Sequence, residues 1–224
     1  TTVVDDRFGT EEELRELLST AHEYGMNVIL DYVANHLHIN SPVLQEHPDW
    51  TTELMLPDGR KNISQWDGET RLTTWFDEHI PTLDLERQEV CDPMTDSALH
   101  WVRNFDFDGY RHDACKHIPL DYWRMLTHKM KSEMPNRSLW QIGETYGDVS
   151  LIGSYVKTGM IDAQFDFNLY HTSRDVIVDE SRSMRDIVAV VEESEAAYGS
   201  HHTMGNITGN HDKPRFISLA GGDM

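Results

Sequence analysis

Helical and strand-like segments that alternate along the chain, strand ends that finish in polar clusters, and the lack of any G-x-G-x-x-G turn predict an α/β fold. The form predicted is a partial TIM (β/α)8 barrel with a small inserted subdomain. Alternating βα units call for parallel strands. A barrel gathers its functional side chains at the C-terminal ends of different strands, and four such ends are polar here: Asn35-His36, Arg111 to Asp113, Glu144, and Asn210-His211-Asp212. A doubly wound dinucleotide fold would need a glycine-rich phosphate turn after its first strand. Five βα units cannot close an eight-stranded barrel, so the chain is expected to hold part of one.

In chain order, "TEEELRELLSTAHEYG" reads as a helix with Thr10 as N-cap, Glu13 closing a capping box, Leu14, Leu17, Leu18 and Ala21 on one face, and Gly25 as the stop. "MNVILDYVANH" is a nearly continuous apolar run, the pattern of a parallel strand buried on both faces. Residues 37–91 break the rhythm with Pro42, Pro48, Pro57, Pro81 and several glycines, and read as an inserted subdomain between a first barrel part, 1–36, and a second, 92–224. Trp66, Trp75 and Phe76 within it suit a sugar-stacking platform and an aromatic core equally well. "DPMTDSALHWVRNF" predicts a helix capped by Asp92 with Pro93 in its first turn. A short strand through Tyr110, a helix over about 119–134, the strand "SLWQIGE", a short helix near 151–156 and the strand "IDAQFDF" follow. A helix opened by Ser183 leads to "HTMGNITGNHD", the fifth strand. The pair His201-His202 reads as solvated loop, because adjacent histidines in an extended segment point to opposite sides.

The chain has 224 residues and a formal charge of −20, from 39 acidic and 19 basic side chains. That balance repels phosphate backbones and anionic membranes and excludes a nucleic-acid partner on electrostatic grounds. No run reaches the eighteen or so apolar residues of a membrane span. Cys91 and Cys115 are too few for a disulfide framework and are expected as free thiols.

Asp113, Glu144 and Asp212 sit at separate strand ends, where a barrel would bring them to one cavity. Paired carboxyls suit glycosidic chemistry: one protonates the leaving oxygen while the other attacks the anomeric carbon. Arg111, two residues before Asp113 and on the same strand face, would keep that carboxylate ionised and aimed. Glu144 follows the apolar "LWQIG", a poorly solvated setting suited to an acid.

The same segments resemble the α-amylase family of glycoside hydrolases. "DYVANH", "GYRHDACKH", "GE" and "GNHD" are similar, in order and spacing, to the family's four signatures at barrel strands three, four, five and seven. The resemblance implies a retaining enzyme acting on α-1,4 bonds of starch-like glucans or maltooligosaccharides. Asp113 would be the nucleophile, Glu144 the acid/base and Asp212 the transition-state stabiliser. His36 and His211 would bond the sugar ring, Arg111 would orient Asp113, Asp31 would brace Arg111, and Lys116 and His117 would line the leaving-group side. Tyr146 is a further cleft residue. Cyclomaltodextrinases, α-glucosidases and glucanotransferases share the pattern, and a non-catalytic carbohydrate-binding relative would be expected to lack one of the three carboxylates. No organic cofactor is implied. Calcium is: Asn35 matches the family's calcium-binding asparagine and the backbone of His117 would contribute, but Thr82 stands in "IPTLD" where the family commonly places a calcium-binding aspartate, and a hydroxyl is the poorer ligand.

Overall fold

A computed structural model of the chain describes residues 2–199 and 203–222, so His201-His202 lies outside the described residues. The chain divides into two compact units, residues 1–141 and 142–224.

In the first unit, helix α1 (Glu11–Glu23) opens with the capping box: Glu13 N–H donates to Thr10 Oγ1, and Thr10 N–H donates to Glu13 Oε2 at 2.8 Å. Of its expected apolar face only Leu18 is buried, and Leu17 stays exposed. Strand β1 (Ile29–Tyr32) is shorter and less buried than the apolar run suggests, with Leu30 half-buried and Val33 exposed. The physical reason is its position: β1 has one strand neighbour among the described residues, so one edge is left without a partner.

After β1 the chain enters the irregular segment. It holds a short helix α2 (Pro42–Glu46) and 3₁₀ turns at Pro48–Trp50 and Gly68–Leu72. Its far end returns to its start, since Leu83 N–H donates to Asn35 O at 2.9 Å and His36 bridges Thr82 in antiparallel fashion.

Helix α3 (Gln88–Asn104) begins a full turn before the expected cap at Asp92, which leaves Pro93 in the helix interior. An interior proline costs about 3 kcal/mol. Val90, Leu99 and Val102 on the same helix are completely buried, and at about 1.5–3 kcal/mol each they outweigh that cost. The Thr95 hydroxyl also donates to the carbonyls of Cys91 and Asp92 beside the proline.

Strand β2 (Gly109–His112) pairs parallel with β1, Asp31 opposite Arg111. Gly109 is required there: a Cβ at this position would lie 1.7 Å from Trp140 O. Helix α4 (Leu120–Glu133) packs on α3 and buries Tyr122, Trp123 and Leu126 completely. Under β2 the buried His112 Nε2 meets Gln141 Oε1 at 2.9 Å, and Gln141 Nε2 donates to Thr127 Oγ1 at 3.0 Å. Cys91 and Cys115 are buried free thiols.

Strand β3 (Trp140–Gly143) runs across the boundary between the units, and in the second unit it pairs parallel with β4 (Ala163–Gln164). Helix α5 (Val149–Ser154) is capped by Asp148, whose Oδ1 accepts from Leu151 N at 2.8 Å. Helix α6 (Phe167–Ile177) follows β4 at once, where the sequence suggests no helix. Asp166 caps it, accepting from Leu169 N at 3.0 Å. Helix α7 (Met184–Tyr198) starts where Ser183 was expected to open it, and Asp186 reaches back to the Ser183 N–H at 2.8 Å. Ile152, Val156 and Tyr198 form one small core, and Phe167, Tyr170 and Phe216 of the short α8 (Phe216–Leu219) form another.

Residues 203–212 make no regular strand, contrary to expectation; a single parallel bridge joins Gly205 to Phe165. Gly205 is pressed against Ile142 and Phe165, and Gly209 holds a φ of 158°, so the backbone here lacks the side chains and the regularity a strand needs. Among the described residues no helix is long and apolar enough to cross a membrane.

Candidate active site

The end of β2 shows how sequence becomes geometry. Asp31 and Arg111 are register partners, and Arg111 and Asp113 share a strand face. Arg111 Nη1 therefore donates both to Asp31 Oδ1 at 2.8 Å and to Asp113 Oδ1 at 2.6 Å. The Arg111 side chain is 11% exposed, Asp113 23% and Asp31 57%, so the guanidinium spends its charge inward on Asp113 while Asp31 faces water. A backbone bond fixes the same residue: Asp113 N–H donates to Tyr32 O at 3.1 Å, extending the β1–β2 ladder one step past the strand. The next residue, Ala114, adopts the left-handed conformation at φ 50°, ψ 34°, a strained state that turns the chain sharply after Asp113.

The turn Cys115–His117 meets the 3₁₀ segment Gly68–Leu72 of the insert. Lys116 Nζ donates to Asp67 Oδ1 at 2.9 Å, His117 Nδ1 to Arg71 O at 2.7 Å, and the Arg71 guanidinium donates to Lys116 O. Burial pushes the His117 imidazole down to about 4; the charges of Lys116 and Arg71 add to this, and the bond to the Arg71 carbonyl opposes it. His36 is also lowered by burial, with the negative charge of Asp113 pulling the other way. Phe76 lies 4.4 Å from the His36 ring, 5.2 Å from His117 and 4.8 Å from Trp66. Trp66 and Phe76 are thus a collar around the two histidines, whereas Trp75 is tied inward, its Nε1 donating to Thr52 O at 3.0 Å.

The side chains that would bind calcium are those of Asn35 and Thr82. Asn35 is fully buried, its Oδ1 accepts no hydrogen bond, and its Nδ2 lies 3.4 Å from Thr82 Oγ1. Thr82 turns its hydroxyl proton away, donating to Thr74 O at 2.6 Å. Among the described residues no three His, Cys, Asp or Glu side chains gather as a metal set. Calcium takes about six to eight oxygen ligands, several of them charged. One neutral amide oxygen and one neutral hydroxyl, with no carboxylate beside them among the described residues, fall short of that set.

In the second unit Glu144 directly follows β3 and is 5% exposed, enclosed as the apolar "LWQIG" run predicts. Tyr146 stacks on Phe167 with ring centroids 3.8 Å apart, and Lys213 Nζ sits 4.9 Å over the Tyr146 ring. Asp212 and His211 are open to solvent, with side chains 55% and 68% exposed and His211 Nε2 3.5 Å from Asp212 Oδ2. Asn210 shapes their turn, its Oδ1 accepting from Asp212 N–H at 3.0 Å.

Asp31 and Asp113 are thus both brought into contact with Arg111, and Lys116 and His117 are joined to Asp67 and Arg71 of the irregular segment. The insert residues that receive them, Asp67 and Arg71, are not marked by any motif. Only the surplus of polar side chains on a buried turn signals that partners must exist.

A family model described as alpha amylase, catalytic domain, matches residues 1–224. "Alpha-amylase 2" of Dictyoglomus thermophilum is 28% identical over 97% of this chain and 37% of its own length. A cyclomaltodextrinase of Geobacillus thermopakistaniensis is 25% identical over 99% of this chain and 38% of its own. The crystal structure of an alpha-amylase from Geobacillus thermoleovorans, complexed with acarbose, superposes with a TM-score of 0.84 at 32% identity, covering 99% of this chain and 48% of that one. The chain therefore spans less than half the length of these relatives. Matched along its whole length and carrying a carboxylate directly after two parallel strands, the chain belongs to the α-amylase catalytic-domain family.

Proposed function

We propose that the protein is a retaining glycoside hydrolase that cleaves α-1,4-glucosidic bonds of starch-like glucans or maltooligosaccharides. One observation carries the reading: Asp113 and Glu144 are each the first residue beyond a parallel strand, one bonded to a guanidinium and the other enclosed. Relatives named alpha-amylase and cyclomaltodextrinase support the substrate class.

In this reading Asp113 attacks the anomeric carbon while Glu144 gives its proton to the departing glycosidic oxygen, leaving a glycosyl ester on Asp113. Glu144, now ionised, takes a proton from water, which displaces the ester with net retention. Arg111 holds one oxygen of the Asp113 carboxylate, so the other is presented to the sugar. Asp212 and His211 would hold sugar hydroxyls, His36 would bond the same ring, and Tyr146 would form a wall of the cleft. All three carboxylates are present, which separates this chain from a binding protein that has lost the chemistry.

The test is Glu144→Gln, with anomeric analysis of products from starch, maltooligosaccharide and cyclodextrin. Turnover should fall by about 10²- to 10⁴-fold while binding survives. Undiminished hydrolysis by the variant, or products of inverted configuration, would overturn the assignment. Preference among the three substrates separates an amylase from a cyclomaltodextrinase.

A further inference from the structure

We infer that residues 67–71 of the insert are a side-chain latch on the turn that carries Asp113, with Arg71 as its positioning residue, and that this latch holds the junction without calcium. The inference rests on the active-site reading of Asp113 for its catalytic consequence only.

Three bonds cross between the two 3₁₀ segments, and they interlock. The Arg71 side chain reaches the Lys116 carbonyl, the His117 side chain reaches the Arg71 carbonyl, and the Lys116 ammonium reaches the Asp67 carboxylate. Lys116 is 7% and His117 5% exposed, so their bonds are sheltered from water, although Asp67 itself is open. A buried lysine is costly without a partner, and Asp67 supplies it. The turn needs such a hold: Ala114 is in the left-handed region immediately after Asp113, a conformation that persists only where surroundings enforce it.

The latch also explains the misfit of calcium. Its expected backbone ligand, His117, adjoins the carbonyl occupied by the Arg71 guanidinium. Two cationic side chains, Arg71 and Lys116, reach into this junction, and positive charge there works against a divalent cation. Arg71 and Lys116 thus supply the positive charge that a metal would bring between the two segments.

The experiment compares Arg71→Gln and Arg71→Lys with wild type in the full-length protein. Amide exchange at His117 and Ile118, whose N–H groups bond within the turn to Ala114 O and Cys115 O, should quicken about tenfold in Arg71→Gln. The same variant should lose about tenfold in kcat with KM changed less than about threefold, and guanidinium ion in the buffer should restore part of that loss, which a merely structural defect would not allow. Arg71→Lys, which keeps the charge without the fork, should fall between them and serves if the Gln variant does not fold. A chelator should leave the wild-type Tm in place. Unchanged exchange in both variants would overturn the latch whatever the activity. A chelator-induced fall in Tm reversed by calcium would overturn its metal-free character. A wild-type protein inactive on α-glucans would remove the active-site reading, and the exchange comparison would still decide the latch.

Discussion

Asp113 and Asp212 each close a polar motif, yet their surroundings differ sharply. Asp113 is fixed through its carboxylate by Arg111, through its backbone by Tyr32 O, and by an interlocked turn behind it. Asp212 has a solvated side chain with His211 at 3.5 Å and a turn shaped by Asn210. The first lies at the end of a strand paired along four residues, the second beyond a segment with one bridge. In the proposed mechanism the carboxylate that attacks along one line gains most from pre-set geometry, whereas the one that grips hydroxyls can settle as the sugar arrives.

The largest effect should come from Asp113→Asn, which removes the proposed nucleophile and should lower kcat/KM on an activated maltooligoside by about 10⁴-fold or more. Asp212→Asn should cost about 10²- to 10³-fold, as expected when one stabilising contact to the transition state is lost. Equal losses at both positions would break the distinction between a fixed and an adaptable carboxylate.

Arg111→Met should destabilise as well as slow the enzyme, because it strands the Asp113 carboxylate in a half-buried position. Losing a hydrogen bond to a charged group costs about 1.5–3 kcal/mol, or roughly 5 °C in Tm for a chain of this size. Lys213→Met in the second unit, which removes a cation above the Tyr146 ring, should cost about 0.5–1 kcal/mol.

Acid should weaken the first unit through His112 and His117. Both imidazoles are pushed down to about 4, first of all by burial, from an ordinary value of 6.5. Between those values the unfolded chain binds the protons and the folded chain does not, so stability is lost as pH falls from about 6.5 towards about 4. Melting curves across that range check this, and replacing His117 with Gln should flatten the slope.

Effects of the same small size belong to the helix starts. Thr10→Ala should cost about 1 kcal/mol, and Ser183→Ala a similar amount in the other unit. Circular dichroism melts of the two variants compare one unit with the other directly.

Where a pattern was local, the fold was legible in the sequence. The Thr10-Glu13 box and Gly25 delimit α1, and "GYRHD" places Arg111 and Asp113 on one face because strand periodicity leaves no other choice. Two kinds of feature were hidden. Helix α3 begins ahead of the start signal at Asp92 and Pro93 because buried Val90 and Cys91 reward an earlier start, a tertiary gain that local propensity does not contain. Helix α6 follows β4 without a loop, and Thr172, Val176 and Ile177 blur its period, although Asp166 ahead of Leu169 was a usable cap signal. In the site, the family resemblance pairs Asp31 with Arg111, but Asp67 and Arg71 meet Lys116 and His117 across 45 to 49 residues of chain. No spacing rule reaches that far.

The central claim is that Asp113 carries the glycosyl group. The direct measurement is mass spectrometry of peptides after reaction with a slow fluorinated α-glucosyl fluoride. The account predicts one added glycosyl unit on the peptide containing Asp113, lost when Asp113 is replaced by Asn. A label on another carboxylate, or turnover with inversion and no label at all, would contradict it.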